Sequence, residues 1–179
     1  MSKALPERKT LRLRHYDYSQ TGMYFVTVCT YDRICLFGNV IGDAVQLNAL
    51  GKTIDESWNA LPMQYAGVVL DEFVIMPNHL HGIVVLEAAK EPGTTSCVLA
   101  LGEVVRGFKA RCSYAFRRSA IHRAHSAALW QRNYYEHVVR DENDLARIRE
   151  YIQNNPRQWA LDSNNPAWDG HDKSRPYGL

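Results

Sequence analysis

Two apolar runs joined by a two-residue turn constrain the fold of this chain more than any other feature. The runs cover residues 68–76 and 79–86, and both are rich in β-branched residues. Pro77 and Asn78 between them are residue types that make tight turns. The pattern therefore predicts a β-hairpin at the centre of the fold.

The remaining periodic segments predict further strands and the helices that cover them. β-Branched and aromatic residues indicate strands at 23–31 and 130–139, and residues 39–46 could add a short hairpin. Apolar residues at three- and four-residue steps predict helices over 48–61, 98–118 and 141–155. Pro62 and Pro156 end the first and the last helix, and Asp141 caps the last. The order β, α, β, β, α, β, α indicates an α+β fold of the ferredoxin-like (RRM-like) type, an antiparallel sheet with helices on one face.

Length and composition favour one domain without a membrane segment. The chain has 179 residues, 46% of them hydrophobic, which suits a single core over 1–179. Its apolar runs are far shorter than the roughly 20 residues that span a bilayer, and the start lacks a secretory signal. Four cysteines without CxxC spacing indicate free thiols. We expect a cytoplasmic protein with a basic arm at 1–14 and a polar tail at 162–179.

The second strand of the hairpin carries two histidines with one residue between them. Side chains alternate between the faces of a strand, so His79 and His81 project to the same side. Two neutral imidazoles on one face can share a divalent ion and leave positions for oxygen donors and a phosphate. Gly82 is expected to leave room beside them. A purely structural role for one or both histidines is the alternative.

A tyrosine in the last predicted helix is the candidate nucleophile. Tyr151 and Asn155 are one turn apart and share a face, so the Asn155 carbonyl could also bind the ion. A phenol with a pKa near 10 is a weak nucleophile, and a nearby cation would favour its phenolate. Tyr134 and Tyr135 are the rivals, and one of them is expected in the core and the other at the surface.

Basic residues are concentrated in two zones that could bind phosphates. Arg12 and Arg14 belong to the N-terminal arm, and residues 104–125 contain six Lys or Arg and no acid. Within that zone Arg106, Lys109 and Arg117 fall on one stripe of the predicted helix. Aromatic residues nearby could stack on unpaired bases, and two histidines spaced H-x-x-H could bind a second metal. These are Tyr114, Phe116, Trp130 and Tyr134, with His122 and His125.

Four segments resemble the REP-associated tyrosine transposases, a branch of the single-tyrosine HUH transposases. They are residues 12–38, 74–84 (VIMPNHLHGIV), 130–140 (WQRNYYEHVVR) and 151–156 (YIQNNP). The resemblance implies an HUH nuclease fold, a Mg²⁺ or Mn²⁺ ion on His79 and His81, and Tyr151 as the nucleophile. Asn155 occupies the position where relatives place a third polar ligand, often glutamine.

The same resemblance implies a metal-dependent single-stranded DNA endonuclease and strand transferase. Such an enzyme acts at hairpin-forming repetitive extragenic palindromes through a 5′-phosphotyrosine, as a monomer or a homodimer. Two other classes stay open. A catalytically inactive, nucleic-acid-binding module of the same fold would bind by stacking on its sheet. A histidine-triad hydrolase would need a third alternating histidine, and that position is Ile83.

Overall fold

The structure is a computed structural model that describes residues 21–87, 100–125 and 128–168, without the side chains of 123–125. Two one-turn 3₁₀ helices lie at Tyr31–Arg33 and Trp159–Leu161. The strands are β1 (Gly22–Cys29), β2 (Gly38–Ile41), β3 (Ala44–Leu47), β4 (Val68–Ile75), β5 (His79–Leu86) and β6 (Tyr135–Val139). The helices are α1 (Ala49–Asn59), α2 (Leu61–Gln64), α3 (Leu101–Arg118), α4 (Ala120–His125) and α5 (Glu142–Asn154).

The main sheet has four strands in the order β4-β5-β1-β6, and every neighbouring pair is antiparallel. This is the ferredoxin-like arrangement, so the predicted fold class is confirmed. The predicted hairpins are present, with β2 and β3 forming a separate two-stranded sheet. The last predicted strand is shorter than expected, because Trp130 makes only an isolated bridge to Thr30 and β6 begins at Tyr135. The two histidines therefore lie on one of the two central strands.

Helices α1 and α3 cover one face of the sheet and form the larger apolar core with it. Tyr24, Val26 and Val28 alternate along β1 toward this face. Gly82 also points to this side, where a Cβ atom would lie 2.5 Å from Cζ2 of Trp58 on α1. The glycine thus makes room for a core tryptophan, and our expectation that it leaves space beside the histidines is wrong.

Helix α5 covers the opposite face, so the expectation of helices on one face only is also wrong. Phe25 and Ile83 on the sheet pack against Leu145, Ile148 and Ile152 of α5. The physical reason is that β1 and β5 carry apolar residues on both faces, as central strands buried on both sides do. The site-bearing face is therefore an interface between sheet and helix.

Polar contacts fix the position of α5 on the sheet. The Asp141 side chain caps its first turn by accepting from the Asp144 backbone N–H at 2.9 Å. Arg149 donates to both carboxylate oxygens of Asp71 at 2.8 and 2.6 Å, beside a bulge in β4. These hydrogen bonds lower the pKa of Asp71. The bidentate pair joins the middle of α5 to the edge strand and helps to set where Tyr151 lies.

Candidate active site

The two histidines of β5 point to the α5 face and are completely buried. Their ring centroids are 4.5 Å apart. Across the strand pair, His81 is opposite Thr27 and His79 is opposite Cys29 on β1. The predicted alternation of the HLH segment is confirmed, with Leu80 in the core on the other side.

Each imidazole is held through its Nδ1 atom by a side-chain oxygen. His79 Nδ1 lies 2.8 Å from Oδ1 of Asn78, and His81 Nδ1 lies 2.8 Å from Oγ1 of Thr27. Burial lowers the pKa of His79 to about 3 and lowers the pKa of His81 well below its ordinary value. Both rings are therefore neutral at physiological pH, the form in which imidazole binds metal ions.

Tyr151 lies against His81, with its hydroxyl 3.2 Å from Nε2 of that ring. Its own ring packs edge-on against Phe25, with centroids 6.1 Å apart. The rival tyrosines are both half-buried rather than one buried and one exposed. Tyr134 packs against the α1/α3 core, and Tyr135 packs edge-on against Phe25 from β6. The fold brings the Tyr151 hydroxyl to a histidine nitrogen at hydrogen-bonding distance.

Two further polar residues reach the same place from the chain after α5. Asn155, the C-cap residue of α5, is only 2% exposed, and Asp162 is 5% exposed. Oδ2 of Asp162 lies 3.6 Å from Nε2 of His79. Burial raises the pKa of Asp162, although hydrogen bonds from Asn164 and Asn155 oppose that rise.

Three buried atoms of this group have no hydrogen-bond partner among the described residues: His79 Nε2, Asn155 Oδ1 and Asp162 Oδ2. Burying such atoms without a partner is unfavourable, and native structures rarely leave them so. Potential ligand atoms of His79, His81 and Asp162 all lie within 4.8 Å of one another. Two imidazoles, a carboxylate and an amide oxygen suit a divalent cation. The donor set therefore fits a metal ion.

Sequence analysis missed Asp162, which stands at the start of the predicted tail. The one-turn helix Trp159–Leu161 brings the chain back over the site, and the Asp162 carboxylate accepts from the Asn164 backbone N–H at 2.7 Å. The available signal was an acidic residue in a turn-forming segment, DSNN, shortly after the tyrosine helix. Residues 169–179 of that tail lie outside the described residues.

Comparison with known proteins now defines the family. The family model described as "Transposase IS200 like" matches residues 23–155. The chain belongs to this transposase family. That assignment confirms, at the level of the family, the resemblance inferred from the HLH and YIQNNP segments.

Individual relatives agree with the family assignment. The chain is 42% identical to an uncharacterized protein of Haemophilus influenzae over 87% of this chain and 91% of that protein. It is 23% identical to a second protein of that bacterium, named as a candidate REP-associated tyrosine transposase, over 78% of this chain and 73% of the relative. A solved structure of a REP-associated tyrosine transposase bound to a REP hairpin has the same fold. That match has a TM-score of 0.57 and 20% identity, and covers 82% of this chain and 73% of the other.

The basic residues predicted to bind DNA have different surroundings in this transposase fold. Arg106 is 79% exposed and pairs with Glu103 at 3.8 Å, and Arg117 is exposed at the end of α3. Lys109 instead donates to the backbone carbonyls of residues 131–133 at 2.6, 3.2 and 3.3 Å. These contacts direct the Lys109 ammonium group toward the loop at 131–133, which it helps to hold. Arg12 and Arg14 lie outside the described residues.

The remaining candidates for base stacking and for a second metal site receive little support. Phe116 and Trp130 are buried in the α1/α3 core, so the expectation that they stack on bases is wrong, whereas Tyr114 is exposed. His122 packs edge-on against Phe116, and the side chain of His125 is outside the described part. Among the described residues, no helix is both long and apolar enough to cross a bilayer.

Proposed function

We propose that this protein is a divalent-metal-dependent endonuclease and strand transferase for single-stranded DNA, with Tyr151 as its nucleophile. The observation that carries the proposal is the position of the Tyr151 hydroxyl. It lies 3.2 Å from His81 Nε2, beside buried His79, Asn155 and Asp162 atoms that lack hydrogen-bond partners within the described chain. A nucleophile next to a ready set of metal ligands suits phosphodiester cleavage.

The ion proposed for this site is Mg²⁺ or Mn²⁺, held by His79, His81 and Asn155. Asp162 would add a negatively charged oxygen ligand, because its carboxylate is grouped with both imidazoles. A bound divalent ion would polarise the scissile phosphate and favour the phenolate form of the nucleophile. Thr27 and Asn78 hold the Nδ1 side of the rings, so each ring would coordinate through Nε2, which in His81 lies 3.2 Å from the Tyr151 hydroxyl.

In the proposed reaction the 5′ phosphate of the cleaved strand is transferred to the protein. The phenol oxygen of Tyr151 attacks phosphorus, the bond from phosphorus to the 3′ oxygen breaks, and the 3′ oxygen gains the proton that the phenol loses through solvent. The products are a 5′-phosphotyrosine and a free 3′-hydroxyl. A 3′-hydroxyl of another strand then attacks the phosphotyrosine and restores the phenol, so strands are joined without ATP.

The proposed substrate is hairpin DNA with a single-stranded flank, of the kind that REP sequences form. Support comes from the structural neighbour, a REP-associated tyrosine transposase bound to a REP hairpin. Arg12, Arg14, Arg106 and Arg117 would bind its phosphates, with Lys109 acting indirectly through the loop that it holds. Chromosomal DNA as the substrate would place the protein in the cytoplasm. We propose that it works as a monomer or a homodimer.

The test uses a 5′- and 3′-labelled DNA hairpin with a single-stranded flank, incubated with Mn²⁺, Mg²⁺ or EDTA. We expect a covalent protein–DNA adduct and a free 3′-hydroxyl only with a divalent ion. Tyr151→Phe should abolish the adduct and retain hairpin binding. Tyr135→Phe is the matched control and should retain both the adduct and hairpin binding. Tyr135 also packs edge-on against Phe25, and its substitution removes the same hydroxyl group.

Two outcomes would overturn the proposal. Adducts that persist in Tyr151→Phe and vanish in Tyr135→Phe would transfer the nucleophile to β6. Hairpin binding without any adduct, unchanged by EDTA, would favour the inactive binding module. A histidine-triad hydrolase has no structural support, because the third position of the triad is Ile83 in the apolar cluster under α5.

A further inference from the structure

Three separate segments of the chain meet at the side chain of Asn78, which is completely buried in the β4–β5 turn. Its Nδ2 donates to the backbone carbonyl of Arg33 at 2.7 Å and to that of Asn164 at 2.7 Å. Its Oδ1 lies 2.8 Å from Nδ1 of His79. One amide therefore joins the turn after β1, the turn that carries Asp162 and the first histidine of the site.

The two carbonyl contacts fix which way the amide faces. An Asn nitrogen has two protons, and a carbonyl oxygen can only accept. A flipped amide would place its oxygen against the carbonyls of both Arg33 and Asn164. Oδ1 must therefore face the ring, and Nδ1 of His79 must carry the ring proton. The lone pair of His79 is then on Nε2, the atom 3.6 Å from the Asp162 carboxylate.

The contact with Arg33 stabilises a turn that is conformationally unfavourable. Asp32 and Arg33 have φ values of 51° and 56°, a region that non-glycine residues rarely adopt, and here two occur in succession. The turn is also held by the Thr30 hydroxyl, which donates to the Ile34 carbonyl at 2.9 Å. In this conformation Arg33 Nη1 donates to the Ser163 carbonyl at 2.7 Å. Arg33 and Asn78 thus both donate to the turn that carries Asp162, and Asn78 also donates to the Arg33 turn.

We propose that Asn78 is a positioning residue with two separable tasks. As an acceptor it selects the Nδ1–H tautomer of His79, and as a double donor it holds the Asp162 turn over the site. The inference rests on the proposed metal site and deepens it. Groups that orient a metal-binding histidine through its second nitrogen commonly change metal affinity 10- to 100-fold when removed. Asn78 differs from such a group in also holding a second candidate ligand.

Two substitutions separate the tasks. Asn78→Asp retains an acceptor for His79 and loses the paired donation, whereas Asn78→Leu, of similar size, loses both. Asn59→Leu at the exposed end of α1 is the matched control. The first measurement is the ring ¹⁵N spectrum of ¹⁵N-histidine-labelled, metal-free protein at neutral pH. We expect the Nδ1–H tautomer of His79 in the wild type, in Asn78→Asp and in the control. In Asn78→Leu we expect the Nε2–H form, which can donate to Asp162.

The second measurement is amide hydrogen exchange at Asn164, whose N–H donates to Asp162 Oδ1. Both Asn78 variants should exchange at least tenfold faster there, and the control should not. In calorimetric titration with Mn²⁺, Asn78→Leu should bind at least tenfold more weakly than the wild type. These readouts report orientation and binding, which a residue that only stabilised the fold would not change selectively.

Each of the two roles of Asn78 can be contradicted by one result. A wild-type His79 in the Nε2–H form would overturn the acceptor role even if no variant folds. Unchanged exchange at Asn164 in folded Asn78→Asp would overturn the donor role. Failure of the proposed function has a different signature, namely wild-type protein that neither binds Mn²⁺ nor forms DNA adducts. The tautomer and exchange results are obtained without metal or DNA, so they would still test the acceptor and donor roles of Asn78.

Discussion

The two faces of the four-stranded sheet are built by alternate residues of the same strands, yet they have opposite chemical character. The face toward α1 and α3 is filled by aliphatic and aromatic side chains such as Val26, Leu80 and Trp58. The face toward α5 has an apolar part around Phe25 and then a polar part around the two histidines. One face supplies most of the favourable burial, and the other contains buried polar groups that oppose folding until they are partnered.

This difference indicates how the fold tolerates an unfavourable site. The polar group lies on the central strands, where position is set most tightly, and its free energy cost is offset by the core behind it. Loss of activity and loss of stability should therefore separate between the faces.

Trp58→Ala should have the largest effect, lowering the free energy of unfolding by about 3–5 kcal/mol through the lost burial and the cavity left behind. The side chain is completely buried and contacts both Phe73 and Phe108. Urea denaturation measures the change, with Tyr151→Phe as the control from the other face. If Tyr151→Phe lowers the free energy of unfolding as much as Trp58→Ala does, the two faces contribute equally to stability and the proposed difference between them is wrong.

Acidification should destabilise the metal-free protein through the site face. His79 has a pKa of about 3 in the folded chain, and the pKa of His81 is also well below the ordinary 6.5. The unfolded chain therefore binds protons below pH 6.5 that the folded chain does not, so stability falls as pH falls from 6.5 toward 3. His79 alone should contribute roughly 1.4 kcal/mol per pH unit between pH 6 and 4, and His81 should act in the same direction.

Denaturation curves at several pH values check this slope. The double substitution of His79 and His81 by glutamine should flatten it, because glutamine does not titrate. An equal slope in the double variant would assign the acid sensitivity to other groups. Saturating Mn²⁺ should leave the slope due to His79 unchanged over this range, because that ring is already neutral in the folded chain.

Asp162→Asn should stabilise the metal-free protein, by about 1–2 kcal/mol, because it removes a buried carboxylate and keeps an oxygen for the Asn164 amide. Burial raises the pKa of Asp162, which means that the charged form is unfavourable there. The same change should weaken Mn²⁺ binding measured by calorimetry. A variant that loses stability and still binds Mn²⁺ normally would show that Asp162 is structural.

Lys109→Met should have the smallest effect, a loss of about 1 kcal/mol from the contacts with the 131–133 loop. The informative measurement is the salt dependence of hairpin binding. Arg106→Met should reduce the slope of log K against log salt by about one, because one phosphate contact is lost. Lys109→Met should leave that slope unchanged. A reduced slope would restore Lys109 to the group of phosphate ligands.

Local patterns were sufficient to predict the parts of the site that lie within one element. The HLH alternation predicted that both histidines share a face, and the four-residue spacing predicted the same of Tyr151 and Asn155. The cap at Asp141 and the bounds of β5 were predicted by equally local rules. The fold class followed from the order of these elements.

The rest depended on long-range placement, which no spacing encodes. Asp162 reaches His79 across 83 positions of sequence only because α5 packs on the second face. Lys109 has the positive charge of a phosphate ligand, but the loop at 131–133 folds against it. Gly82 stands beside the histidines in sequence and faces away from them in space. In each case the partner is supplied by a segment distant in sequence.

The short turn at Pro77 and Asn78 also limits how this chain can change in length. Because side chains alternate along β5, inserting or deleting one residue ahead of His79 would exchange the two sets of side chains between the faces. Imidazoles would then enter the apolar core while Leu80 took their place under α5. Length variation should therefore be tolerated at the tip of the β2–β3 hairpin and rejected at the β4–β5 turn, where one codon gained or lost would disrupt core and chemistry together.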